Sequence, residues 1–249
     1  MKTMSLINKK GGVGKTTITV NLAYAFAESC DLRVLVVDND DQGNATQFFG
    51  ARAESGLADV LTGADIRACL SKTRYPLIDL LPSDERLLEA NMAVIKDETI
   101  VQQSILKDAL QSIDEMYDIC LIDNPPSINA SVINALVASD EVIIVTTPDM
   151  YGLRGVEQMI TYINAIQAGY NPQLRFRGCL LNKFSMTPHG FKILAKLRKD
   201  IPLFRSRIRY TKDKPEAAAE EQQAIFEYSP NCGFSCDLVK FLRELMEGM

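Results

Sequence analysis

Near the start of the chain, Lys10, Gly11, Gly12, Val13, Gly14, Lys15, Thr16 and Thr17 are consecutive, and their types and order suit the cradling of phosphate. Glycines let backbone N–H groups turn inward and approach phosphate oxygens closely. Lys15 is placed to bridge the β and γ phosphates of a nucleotide, the Thr16 hydroxyl to complete a Mg²⁺ shell, and Thr17 to meet the α-phosphate. A bare Gly-rich turn would not need the Lys-Thr pair. Three carboxylates stand out further along. Asp123 ends an apolar run, where an acid holds Mg²⁺ through a coordinated water. Asp38 and Asp40 are two apart, so they share a direction if the segment is extended. Lys10 reads either as a solvated lysine or as a second cation for the same chemistry, and Lys9 beside it fits the first description.

These groups need elements to hold them, and the chain supplies an alternation of β-rich apolar runs and helical patterns. Strands are expected at Met4 to Asn8, Arg33 to Asp38, Leu77 to Leu81, Asp118 to Asp123, Glu141 to Thr146 and Arg177 to Asn182. Helices are expected at Thr16 to Glu28, Ile100 to Ile113, Leu153 to Ala168 and Asp237 to Glu247. The phosphate loop thus falls between a strand and a helix, the context that makes the motif credible, and the helix adds its positive dipole end. Strands that are continuous Val/Ile/Leu runs imply a sheet covered on both faces. The fold class is therefore α/β: one doubly wound, mainly parallel sheet with helices on both sides, in a single domain over residues 1–249. The span Ala51 to Lys96 is the least regular, with Ser55-Gly56 and Thr62-Gly63 as loop punctuation.

The double lysine of the loop, together with Asp38-Asn39-Asp40-Asp41-Gln42-Gly43-Asn44-Ala45-Thr46, resembles the deviant Walker A ATPases of the ParA/MinD group, most closely the ParA-type (Soj-like) partition proteins. Tyr117 to Ser127, Leu80-Leu81-Pro82-Ser83, Tyr151 to Gly155, Pro215-Glu216-Ala217 and Glu227 to Pro230 fit the same family in the same order. The resemblance covers nearly the whole chain. It implies a SIMIBI-like P-loop NTPase fold, ATP and Mg²⁺ as cofactors, and hydrolysis of ATP to ADP and phosphate. It also implies an ATP-sandwich homodimer in which Lys10 touches the partner's phosphates. By the same resemblance Asp40 positions the attacking water and Asp38 supports the Mg²⁺ and water network. Asn182 would read adenine, since a carboxamide offers both donor and acceptor; on its residue type alone it equally suits a strand-end cap. Two departures are visible. Asp41 stands where the family has proline, adding a charge beside the water-positioning residue. Asn124 replaces a common cysteine, which argues against the related nitrogenase iron protein and its cluster ligands.

Net charge is −5, from 27 Lys and Arg against 32 Asp and Glu. Residues 173–214, however, carry twelve bases and two acids, an asymmetry that marks a polyanion-binding face. Lys192, Lys196, Arg198, Lys199, Arg205, Arg207, Arg209, Lys212 and Lys214 lie there. ParA-type proteins bind DNA without sequence preference through this late region, which needs phosphate neutralisation and no base readout. The implied partners are a second copy, non-specific DNA and a ParB-like adaptor, in the cytoplasm at the nucleoid. The MinD-like alternative needs a basic membrane-surface helix; the closing helix is amphipathic without being basic, and stable membrane insertion is not expected. Nucleotide kinases and synthetases share the loop, but no acceptor motif is present, and a non-catalytic nucleotide-binding regulator would have no use for Asp40. His189, in a Pro-His-Gly loop, reads as a turn residue. The six scattered cysteines read as reduced thiols.

Overall fold

A computed structural model of the chain describes residues 1–52, 54–97 and 102–248. The start of the helix expected from Ile100 lies outside these residues. So do the side chains of Tyr151, Leu153, Arg154 and His189. In chain order the first half runs β1 (Lys2–Ile7), α1 (Lys15–Cys30), β2 (Val34–Asp38), α2 (Asn44–Phe48), α3 (Leu57–Leu61), α4 (Ile66–Cys69), β3 (Ser71–Lys72), β4 (Ile78–Leu81), α5 (Arg86–Lys96) and α6 (Ile105–Gln111). The second half runs β5 (Ile119–Asp123), α7 (Ala130–Ala138), β6 (Glu141–Thr146), α8 (Met150–Gly169), β7 (Arg175–Phe184), α9 (Pro188–Asp200), β8 (Leu203–Arg209), α10 (Lys214–Glu220), α11 (Ile225–Tyr228) and α12 (Gly233–Met246).

The strands assemble in the order β3-β4-β2-β5-β1-β6-β7-β8. Every pairing is parallel except that of the short edge strand β3 with β4. Period-two alternation divides each central strand between two covered faces. Met4, Leu6, Val34, Val36, Ile119, Leu121, Ile143 and Val145 join α1 and α12 in one core. Leu35, Val37, Cys120 and Ile122 face the core of α3, α5, α6 and α7, while Val142 and Ile144 face that of α8 and α9. Both faces being buried explains why the strands read as unbroken apolar runs.

The chain leaves β1 toward β2 on one side, and later crosses from β5 to β6 on the other. β1, between β5 and β6, is therefore the switch point, where ligands of open α/β sheets bind beyond the strand ends. That places the loop after β1 beside the ends of β2 and β5.

The structure adds helices α2, α7, α9, α10 and α11 to those expected, and two further parts differ from the sequence expectation. Around the expected strand β4, the irregular span from Ala51 to Lys96 holds α3, α4, β3 and α5, and these short helices owe their form to packing on β2 and β4 rather than to propensity. The basic segment holds an additional strand, β8. Its Leu-Phe-Arg-Ser-Arg-Ile-Arg alternates charge with apolar residues, as a charge-protected sheet edge does. All six cysteines are free thiols.

Candidate functional site

Beyond β1 the chain turns through Asn8, whose amide donates to the Val145 carbonyl (2.7 Å) and whose Oδ1 accepts the Lys10 N–H (2.9 Å). Gly12 (φ 72°) and Gly14 (φ 91°) then adopt left-handed backbone that L side chains avoid. At Gly14 a Cβ would also lie 2.3 Å from the Asn182 amide nitrogen. Here glycine is required twice over. α1 opens on Lys15 with no side-chain cap at its first turn, leaving N–H groups directed at the loop.

The acids close around this turn. In the β2–β5 register Asp38 lies opposite Asp123, and both are fully buried. Asp123 accepts from the Thr16 hydroxyl (2.5 Å) and the Thr19 hydroxyl (3.3 Å). Burial and then the nearby Asp38 carboxylate push Asp123 up to about 7, and burial pushes Asp38 up to about 6. Lys15, only 7% exposed, is lowered by burial against the pull of Asp123 and Asp40. Two buried carboxylates with one desolvated ammonium form a site short of positive charge. Among the described residues no three His, Cys, Asp or Glu make a self-contained metal cage. The donor set fits instead an ion such as Mg²⁺, which takes one or two protein oxygens and fills its shell with water and phosphate. Thr16 and Asp123 supply such oxygens.

Asp38 is otherwise engaged. One oxygen accepts both the N–H and the hydroxyl of Thr46 (2.7 Å each), and the other accepts the Asp40 N–H (3.2 Å). The Thr46 hydroxyl in turn accepts the Ser83 N–H (2.9 Å). Asp38 thus ties the loop after β2 to the one after β4 and sets where Asp40 stands. Asp40 lines the cleft; Asp38 and Asp123 lie beneath it.

That cleft has a volume of about 670 Å³. One end is Gly11, Gly12, Gly14, Lys15, Thr16, Thr17 and Asp40; the other is built from α1, α2, Lys183 and α10. Val13 does not line it, because its side chain is core. Asn182, expected to read adenine, is engaged within the chain. It is 3% exposed, its amide donates to the Val13 carbonyl (2.8 Å), and its Oδ1 accepts the Lys183 N–H (2.8 Å). The amide nitrogen braces the phosphate loop and the oxygen holds the backbone of β7.

Lys10 does not line the cleft either. Its ammonium lies 2.6 Å from Asp149 and 3.1 Å from the Thr147 hydroxyl, in the segment after β6. Nothing in the sequence around Asp149 singles it out, since its partner is 139 positions away.

The basic segment is partly neutralised from within. Arg205 pairs with Glu244 of α12 and with Glu247 at its C-terminal cap, and Arg209 with Asp237 of α12. Lys192, Lys196 and Lys199 are exposed along α9 without an ion pair among the described residues.

Comparison with known proteins places this geometry. A family model described as an AAA domain matches residues 1–176. The chain is 36% identical over 203 residues to the sporulation initiation inhibitor protein Soj of Bacillus subtilis, covering 80% of this chain and 79% of that protein. It is 37% identical over 186 residues to the chromosome-partitioning ATPase Soj of Thermus thermophilus, covering 74% and 70%. Among solved structures, it is similar to cobyrinic acid a,c-diamide synthase from Mycobacterium smegmatis with bound ATP analog and magnesium. The TM-score there is 0.80 and the identity 30%, with 89% of this chain and 92% of that chain covered.

Proposed function

Since the chain belongs to the ParA/MinD-type P-loop ATPases, and Soj and ParA partition proteins are among its relatives, we propose that it is an Mg²⁺-dependent, ATP-driven dimerising switch that acts in partition. The observation that carries this reading is the division of labour between its two loop lysines. Lys15 is buried inside its own cleft, while Lys10 stands outside it, held by Asp149. A cation that does not line its own cleft, yet directly precedes the phosphate loop, suits a partner's phosphates.

The residues take these roles. The loop Gly11–Thr17 and Lys15 hold the phosphates, and Lys15 neutralises charge that develops between the β and γ groups. Thr16 and Asp123 hold Mg²⁺, which when bound shields the phosphate oxygens. Asp40, within the cleft and fixed through Asp38 and Thr46, orients the water. Lys10 of a second copy stabilises the transferred phosphoryl group, as a cation supplied in trans does in GTPases, where it is worth about 10³–10⁵ in rate. The ATP dimer binds DNA without sequence preference through its basic face, and a ParB-like adaptor stimulates hydrolysis and release. This places the protein in the cytoplasm, on the nucleoid. Among the described residues no helix is long and apolar enough to cross a membrane. The apolar face of α12 (Phe234, Leu238, Phe241, Leu242 and Leu245) is spent on the core, which weighs against a MinD-like surface helix there.

The test is DNA binding with ATP, ADP or no nucleotide for wild type and Lys10→Ala, with Asp40→Ala assayed for dimerisation and turnover. ATP-specific binding lost in Lys10→Ala, and an Asp40→Ala protein that dimerises with ATP but does not turn it over, are expected. Absence of DNA binding in every nucleotide state would sink the partition reading, and persistent turnover in Asp40→Ala would sink the assignment of the water-positioning acid.

A further inference from the structure

Backbone pairing aligns β2, β5 and β1 only as far as Asp123, which lies opposite Asp38 on one side and Leu6 on the other. Beyond that level three segments must be held together: the one that carries Asp40, the one that follows Asp123, and the phosphate loop. The Asn39 N–H reaches back to the Asp123 carbonyl (2.9 Å). Its side chain, fully buried, donates to the Asn124 Oδ1 (2.8 Å). Asn124, also fully buried, donates from its own amide nitrogen to the carbonyls of Leu6 and Ile122 (3.2 Å each).

The direction of this relay is fixed by chemistry. A carbonyl only accepts, so the end of Asn124 that meets Leu6 and Ile122 must be its nitrogen, and its oxygen must face Asn39. Asn39 is therefore held as a donor. Its own Oδ1 is buried with no hydrogen-bond partner among the described residues. An orphaned acceptor lowers stability, so packing alone does not account for a carboxamide here. What the donor half does is join neighbouring strand ends at the switch point, each of which leads into one part of the nucleotide cleft. Asp40 and Pro126 line that cleft from the loops after β2 and β5, and Gly11, Gly12 and Gly14 line it from the loop after β1. Asn124 stands where a cysteine is common in the family, and a thiol is a weak acceptor, so the relay belongs to this chain.

We propose that Asn39 is a positioning residue for hydrolysis, which through Asn124 fixes the loop bearing Asp40 relative to β1 and the phosphate loop. This rests on the reading of Asp40 as the acid that orients the attacking water. In the sheet β2 lies between β4 and β5, with β1 next beyond β5. Asp38, Thr46 and Ser83 tie the Asp40 loop toward β4. Asn39 and Asn124 tie it the other way, to β5 and β1. Asp40 is thus located from both sides, and only the second tie refers it to the phosphates. Displacement of about 1 Å costs up to about a hundredfold in rate, while the grip on the phosphates, supplied by the loop and Lys15, is spared.

The experiment is steady-state hydrolysis of MgATP by the full chain, with thermal melts, for wild type, Asn39→Ala, Asn124→Ala, the double variant and Asp40→Ala. Each asparagine variant is expected to lose about tenfold in kcat with KM within about threefold of wild type. The double variant should lose little more than either single one, because both changes break one relay. If Asn39→Ala does not melt cooperatively, Asn39→Ser, which keeps a small donor, carries the test, with kcat lowered about threefold at unchanged KM. A wild-type kcat in the asparagine variants overturns the proposal, and so do losses that multiply in the double variant. A KM that rises as far as kcat falls overturns it in favour of a purely structural role. Wild-type protein without turnover, or an Asp40→Ala protein that keeps it, would instead remove the reading on which the proposal rests.

Discussion

Lys10 meets Asp149 at 2.6 Å with both side chains 37% exposed, a contact of the kind worth less than about 1 kcal/mol. Its importance is competitive, because the ammonium cannot serve Asp149 and a partner's phosphates together. Asp149→Ala is therefore expected to raise the ATP-dependent dimer fraction several-fold at limiting protein concentration, up to the roughly fivefold that 1 kcal/mol allows, read by sedimentation or light scattering. A dimer fraction unchanged or lowered would show that the contact does not restrain Lys10. At this scale the phosphate loop was fully legible, since glycines, lysine and threonine at fixed spacing serve one purpose. Asp149 was not, because an ion pair spanning 139 positions leaves no local pattern. Asn182 was legible only as a useful carboxamide. Which groups it would bond depended on how closely β7 passes under Val13 and Gly14.

Strands β1, β2, β5 and β6 came out of the sequence as runs of Val, Ile and Leu because both their faces are buried. β8 did not, because an edge strand mixes arginine with apolar residues, and three arginines in seven positions look like a solvated face. Its partner α12 completes it. The Asp237 carboxylate accepts from the Arg209 backbone N–H and from its guanidinium (2.6 and 2.7 Å). Burial pushes Asp237 up, but Arg209 and Lys240 outweigh that and hold it below the usual carboxylate range. The sign follows: a depressed folded pKa gives stability that is present above the unfolded value of about 3.9 and is lost as pH falls through the lower folded one. Asp237→Asn should cost about 2 kcal/mol at pH 7, measured by urea unfolding. The gap from wild type should close as pH drops below about 4. A gap that persists in acid would point to packing rather than to the ion pair.

Across the whole molecule, the basic segment within an otherwise acidic chain suggested one cationic face, and folding divides it. Arg205 and Arg209 are answered by α12, whereas Lys192, Lys196 and Lys199 stand open at helical spacing on α9. On the partition reading, replacing those three lysines by alanine should flatten the dependence of log DNA affinity on log salt by about 0.9 per lost phosphate contact. With two copies bound, the change doubles. Arg205→Ala should leave the slope nearly unaltered. If the arginine variant flattens it more than the lysine variant does, the DNA face is β8 and this division is wrong. The sequence by itself determined the α/β class, the phosphate loop and the family, because each is written in neighbouring residues or in the period of a buried strand. Only the tertiary structure decided that Lys15 is buried while Lys10 meets Asp149, and that Asp38 is engaged by Thr46 while Asp40 lines the cleft. Those outcomes depend on which strand ends meet at the switch point beside β1. That meeting is set by the packing of two faces of one sheet, which no local run of residues encodes.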